Sequence, residues 1–263
     1  MARGLARSHL DQHGALSGHH PGPLGLGQEQ GAVRSGTALT AATLCLLRAG
    51  EPEEPGGRIV SDWPAGQSSC LAWSPANVRP APDGRIELHL GPAPPDADRL
   101  RQGGEVQSCA VAAEGLWEWE AQAPALVPGA VFGLFAYRAD HAAQPWLEFD
   151  IEFVGPDTRR ARLNIHMQAS SAAPVTLEAA RGGPVLAELG FDAARGLHRY
   201  GIAVTGREVV FTADGRVLGR FSPSDMPGRL WAGGLLRGFA NLWCVDTTLE
   251  SWAGSWRASG QPR

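Results

Sequence analysis

The sequence predicts an all-β protein, a sandwich or jelly roll of two antiparallel sheets, and three observations carry that expectation. Short runs alternate apolar and polar residues, turn residues separate them at close intervals, and segments of helical period are nearly absent. The aromatic residues also segregate, with all nine Trp, both Tyr and all eight Phe beyond residue 58. The folded domain is therefore expected over residues 57–258, after a disordered low-complexity tail of 1–56 and before a short tail of 259–263.

The tail contains too few large apolar groups to offset its ordering entropy. It ends in Glu51-Pro-Glu-Glu-Pro-Gly-Gly57, and its histidines at 9, 13, 19 and 20 read as solvated side chains. One weakly apolar run, Thr37 to Leu47 with Arg34 before it, has two readings. It is a cryptic export signal, or a short helix or irregular Ala/Thr stretch; interrupting threonines and the lack of an A-x-A site favour the second. Beyond the tail, strands are expected at 85–90 after the Asp83-Gly84 turn, at 115–120, 131–137, 147–154 and 161–166. Two more follow at 197–204 and 208–212, the latter running into the turn Asp214-Gly215. Trp117 and Trp119 alternate with glutamates and are expected in the core.

A net charge of −4, with 23 arginines and no lysine, gives no electrostatic case for nucleic acid or an anionic membrane. No apolar run is long enough to span a bilayer as a helix. Cys45, Cys70, Cys109 and Cys244 match neither a zinc template nor a redox pair, and allow two disulfides or none; a Cys70–Cys109 bridge is one option.

The most informative segment is Trp146-Leu-Glu-Phe-Asp-Ile-Glu-Phe-Val154. On a strand, Glu148, Asp150 and Glu152 share one face, and Leu147, Phe149, Ile151 and Phe153 share the other. Acidic residues disfavour strands and neighbouring like charges repel, so the arrangement is costly unless it is used. At ~3.3 Å per residue, the outer two Cα atoms lie roughly 13 Å apart. Side chains leaning together leave their carboxyl groups on the order of 5–6 Å apart, the spacing of a nucleophile and an acid/base in retaining glycosidases. Crowding raises at least one carboxyl pKa, so a protonated acid and an ionised nucleophile can coexist. The same pattern also fits a solvated acidic face or a divalent-cation site.

The context resolves this further. Gln144-Pro-Trp-Leu-Glu-Phe-Asp-Ile-Glu-Phe-Val-Gly-Pro-Asp-Thr158 resembles the signature of glycoside hydrolase family 16, especially its lichenase (β-1,3-1,4-glucanase) branch. The resemblance continues in order through Trp73, Asn77-Val78, Gly104-Glu105, Ser108, Phe135-Ala-Tyr137, Asn164, Leu189-Gly-Phe-Asp192, His198-Arg-Tyr200, Asp214-Gly215 and Pro227-Gly228. It implies a concanavalin A-like jelly roll with a cleft across its concave face. It implies Glu148 as nucleophile, Glu152 as acid/base and Asp150 as their assistant. It implies sugar contacts from Trp146, Glu105 and Asn164, with Trp63, Phe135 and Trp243 lining the cleft more distantly. Catalysis would need no cofactor; a structural calcium on the convex side is implied, but the sequence does not locate it.

Departures fall where substrates are chosen. Gln107 stands where lichenases carry Arg, and His166 where they carry Tyr. Gly233, Leu235 and Ala65 replace cleft Asn, Trp and Asn, and the lichenase disulfide positions hold Leu71 and Gly103. The expected function is a retaining, endo-acting hydrolase of a β-linked polysaccharide, with β-1,3-1,4- or β-1,3-glucan as default and a bacterial exopolysaccharide as an option. A transglycosylase or a non-catalytic carbohydrate-binding jelly roll are the alternatives. The substrate class points to an extracellular or periplasmic protein, with the cytoplasm as the alternative because no clear signal peptide is evident, and a monomer is expected.

Overall fold

The computed structural model of the protein describes residues 42–47, 57–65, 71–82, 84–170 and 172–256. The first strands are short: β1 (Ala42–Leu47), β2 (Arg58–Val60), β3 (Leu71–Trp73), β4 (Val78–Pro80), β5 (Ile86–Leu88) and β6 (Leu90–Pro92). Longer ones follow: β7 (Arg101–Ser108), β8 (Gly115–Gln122), β9 (Ala130–Arg138), β10 (Leu147–Val154) and β11 (Arg160–Met167). Then come β12 (Val175–Thr176), helix α1 (Leu177–Arg181), β13 (Val185–Glu188), β14 (His198–Val204), β15 (Val209–Ala213), β16 (Arg216–Phe221), β17 (Leu236–Cys244) and helix α2 (Glu250–Ala253). One sheet runs β16-β15-β14-β8-β1-β5-β4; the other runs β12-β11-β10-β9-β17-β7-β2, with β13 on β11 and β3 and β6 on β7. Pairing is antiparallel except between β3 and β7. This is the expected all-β jelly-roll sandwich.

Most expected strands form within a residue or two of their expected ends, and β10 spans the expected 147–154. Asp214 and Gly215 turn β15 into β16 with positive φ at both positions, which suits a two-residue hairpin. The run at 85–90 instead breaks at His89, whose backbone N–H donates to Asn77 O at 2.8 Å. The break lets the chain leave the first sheet in β5 and join β7 in the second through β6.

The expected tail is corrected at residues 42–47. They form β1, which lies between β5 and β8 in the first sheet. An apolar run carrying a β-branched Thr43 needs no aromatic residue to become a strand when two neighbours each offer unpaired backbone groups. The rest of residues 1–56, the tail 259–263, and Cys70 with its possible bridge to Cys109 lie outside the described residues.

The core lies between the sheets. Phe149, Ile151 and Phe153 of β10 are fully buried there, and so is Trp119 of β8, with Trp117 6 % exposed. Phe153 meets Tyr200 of β14 edge to face at 5.5 Å and stacks with Phe132 at 5.9 Å. Gly238 of β17 packs closely, with the Trp117 ring 3.0 Å from where a Cβ would be. Apolar packing on this face therefore fixes which residues of β10 point the other way. Phe153→Ala should destabilise the protein by about 3–5 kcal/mol in denaturant titration, the range for a buried aromatic deleted from a core. Val217→Ala, half exposed on β16, should stay within about 0.5 kcal/mol.

Candidate active site

The register of β7, β17, β9, β10 and β11 carries the acidic face across the concave sheet in three rows. The first aligns His166, Glu148, Tyr137 and Arg237. The second aligns Asn164, Asp150, Phe135, Phe239 and Gln107. The third aligns Arg162, Glu152, Gly133, Asn241 and Glu105. Strand periodicity thus brings Glu148, Asp150 and Glu152 together with Phe135 and Asn164, as the sequence predicts.

Glu148 and Asp150 are nearly buried and Glu152 is half-buried. Trp146 Nε1 donates to Glu148 Oε2 at 2.5 Å, and Asp150 shares a hydrogen bond with Glu148. Burial pushes Glu148 up to about 7; the bonds from Trp146 and Asp150 pull it down. Burial pushes Glu152 up to about 8, against the pull of the Arg162 guanidinium. Asp150 rises well above the usual carboxylate range, first through burial and then through the charges of Glu148 and Glu152. Asp150 thereby holds its proton to higher pH than an ordinary carboxyl, and its hydrogen bond favours the Glu148 anion.

Around the trio, Trp146 stacks on His166 with centroids 4.4 Å apart. Asn164 Oδ1 accepts from the Glu178 backbone N–H at 3.2 Å, and its Nδ2 lies 2.9 Å from His166 Nε2. Phe135 stacks on Phe239 at 4.9 Å and, with Tyr137, makes an aromatic floor against which Trp146 packs. Arg162 is held by both carboxylate oxygens of Glu178, which Thr176 places by capping α1. Its guanidinium also sits 4.8 Å over the Trp252 ring.

Glu105, Trp243 and Trp63 each have packing or hydrogen-bond partners of their own. Glu105 is fully buried, with Ser61 Oγ donating to one carboxyl oxygen at 2.7 Å and Asn241 Nδ2 to the other at 3.1 Å. Gln107, where an arginine was expected from the resemblance, donates to Ser61 Oγ at 3.0 Å and so completes this inner network. Trp243 lies on the concave face but is 5 % exposed, stacked at 6.0 Å on Trp252 of α2, so it supports that ring and does not line an open cleft. Trp63 packs against the main apolar cluster. The sequence reading missed Arg162, Glu178, Asn241, Phe239 and Trp252. Arg162 was within reach, because it shares its strand face with Asn164 and His166. Among the described residues, no group of three or more His, Cys, Asp or Glu side chains is placed to hold a metal ion.

A concave sheet bearing paired carboxyls beside an aromatic platform defines a glycoside hydrolase. The model of the family described as glycosyl hydrolases family 16 matches residues 67–253, and the chain belongs to that family. It is 29 % identical over 194 residues to a β-glucanase of Paenibacillus polymyxa, covering 74 % of this chain and 73 % of that protein. It is 29 % identical over 185 residues to a β-glucanase of Acetivibrio thermocellus, where the match covers 66 % of this chain and spans half of that relative's length. Among solved structures, a β-1,3-1,4-glucanase (lichenase) derived from a mouse hindgut metagenome shares the fold at a TM-score of 0.64. That match is 23 % identical and covers 80 % of this chain and 89 % of the other.

The buried acids carry a stability consequence. Burial lifts Glu105 from 4.5 to about 7, with Ser61 and Asn241 pulling it down. Its neutral form is the one the fold favours, so its contribution is fully present below the ordinary value and is lost as pH rises through about 7. Glu105→Gln keeps the shape, and the Asn241 amide can turn to accept from it, since Asn241 Oδ1 has no hydrogen-bond partner among the described residues. Melting temperature should therefore fall less steeply in this variant than in the wild type between about pH 5 and about pH 9. Equal slopes in thermal unfolding would contradict the assignment.

Proposed function

We propose that the protein is a retaining, endo-acting hydrolase of a β-linked glucan, with Glu148 as nucleophile and Glu152 as acid/base. The observation that supports this best is the difference between the two carboxyl environments. Glu148 receives donors from Trp146 and Asp150, which favour its anion. Glu152 faces Arg162, but Glu178 neutralises that cation, and Glu152 holds its proton to higher pH. One group is thus prepared to attack and the other to donate, the division that glycoside hydrolysis by two carboxyls requires.

In the first step Glu152 protonates the glycosidic oxygen as that bond breaks, and a Glu148 oxygen bonds to the anomeric carbon. Water, deprotonated by Glu152, then displaces Glu148 and returns the sugar with its original configuration. Asp150 restrains Glu148 through their shared proton, keeps more of it as the nucleophile loses charge to the anomeric carbon, and yields more of it as charge returns to Glu148 on release. Trp146 offers an indole face to a sugar ring beside the cleaved bond. The reaction needs no cofactor. The names of the β-glucanase relatives favour glucan, with mixed-linkage glucan as first choice and an exopolysaccharide as another option, because Gln107 and His166 change the cleft. A polysaccharide substrate favours work outside the cytoplasm; among the described residues no helix is long and apolar enough to cross a membrane.

Glu148→Gln should lower kcat on a β-glucan panel by on the order of a thousandfold or more, with the fold intact by circular dichroism. Fresh product should carry the β anomer in proton NMR before mutarotation. Full activity of that variant, or an initial α anomer, would overturn the reading; longer oligosaccharides as main products would make the enzyme a transglycosylase. The pH profile follows from the same groups. Since Glu148 must be ionised, kcat/KM should rise with pH through about 7; since Glu152 must be protonated, it should fall through about 8. The acid limb should move in Asp150→Asn, which replaces the hydrogen-bond partner that pulls Glu148 down. An optimum in the ordinary carboxylate range near pH 4–5 would contradict it.

A further inference from the structure

One chain of hydrogen bonds beside the nucleophile fixes the state of a residue that neither the family pattern nor the proposed reaction assigns. A backbone N–H is a donor only, so the bond from Glu178 N to Asn164 Oδ1 sets which end of the Asn164 amide is which. The other end, Nδ2, then faces His166 Nε2 at 2.9 Å. An amide nitrogen can only donate, so His166 Nε2 must accept, and its ring carries its proton on Nδ1 and no charge. The same Nε2 lies 3.4 Å from Asp150 Oδ2. A lone pair there cannot donate to Asp150 and form an ion pair with it. The flat face of the same ring supports Trp146 at 4.4 Å and 15° between planes, and Trp146 donates to Glu148.

We propose that His166 is a positioning residue for the nucleophile. Asn164 holds it in the neutral Nδ1–H tautomer. It supports the indole that donates to Glu148, and it leaves the proton of Asp150 available to Glu148 by offering Asp150 no positive charge. A histidinium at this site would ionise Asp150 and remove that shared proton. The charged and titratable groups around His166 are Glu148 across the register, Asp150 at 3.4 Å and Tyr137 beyond Glu148 on β9, with Arg162 further along β11 paired to Glu178. Burial of the ring and the Asn164 contact both oppose protonation, against the negative charge that the neighbouring carboxyls carry. The inference rests on Glu148 as nucleophile for its functional part, and on the hydrogen-bond geometry alone for the tautomer.

The test has two arms. Nitrogen-15 NMR on the wild-type protein labelled at histidine needs neither substrate nor a variant. His166 should show an unprotonated Nε2 and a protonated Nδ1, and should stay neutral below the ordinary histidine midpoint of ~6.5. An Nε2–H tautomer, or a charged ring at neutral pH, overturns the proposal. The second arm uses Asn164→Leu, which removes the donor. His166 should then titrate at or above ~6.5. The acid limb of kcat/KM should move with it, and kcat should fall about tenfold or more with KM little changed. A variant that folds and keeps the wild-type pH profile overturns the positioning role. If the NMR arm succeeds while Glu148→Gln retains full activity, the tautomer stands and the functional assignment of Glu148 is what fails, taking the positioning role with it.

Discussion

Strand β10 is asked to be two things at once. One face supplies Phe149, Ile151 and Phe153 to the sandwich core, fully buried, while the other places Glu148, Asp150 and Glu152 two residues apart in poorly solvated surroundings. The rigid alternation of a strand means neither face can adjust without the other. Three carboxyl groups so placed cannot all ionise at modest cost, and all three are pushed upward, with burial the largest cause in each case. The surrounding residues can be understood as responses to that one constraint.

Each acid has its own partner set. Glu148 has an indole N–H and a shared proton. Glu152 has a cation already matched by Glu178, which limits how far it is pulled down. Further across the sheet Glu105 is fully enclosed by Ser61 and Asn241, and its charge raises Glu148. The glycine between Glu152 and Asn241 belongs to this scheme: a Cβ on Gly133 would lie 2.7 Å from Asn241 Oδ1 and would push the amide that holds Glu105. The difference between the two glutamates therefore arises from Trp146 and Asp150 beside Glu148, and from Arg162 on β11 with Glu178 of α1 beside Glu152.

Legibility in the sequence tracks how local the cause is. β10 was readable because strict alternation is written in eight consecutive residues, and the trio followed from parity alone. β7 and β17, which complete the concave sheet, were not readable as strands. β7 contains Gly103 and Gly104, which break a strand pattern but are required because a Cβ on either would meet a backbone oxygen at 2.4 Å. β17 is covered on both faces, so its pattern is nearly continuous and gives no period. The consequences reached the site. The resemblance implies Trp243 in the cleft, and the four-residue helix that brings Trp252 onto it has no signature in the sequence. β1 was lost to a tail because its partners, β5 and β8, are distant along the chain. Burial of Glu105 depends on Ser61 and Asn241, far from it in sequence, so resemblance identified the residue but not its surroundings.

The central claim is that Glu148, and no other acid of the trio, forms the covalent bond to sugar. A 2-deoxy-2-fluoro β-glucan oligosaccharide with an activated leaving group slows release of the glycosyl-enzyme and allows it to be weighed and mapped. The account predicts a single adduct equal in mass to the fluorinated glycosyl group, carried by the peptide containing Glu148 and absent in Glu148→Gln. An adduct on Glu152 or Asp150, or complete turnover with inverted product and no adduct, would contradict it.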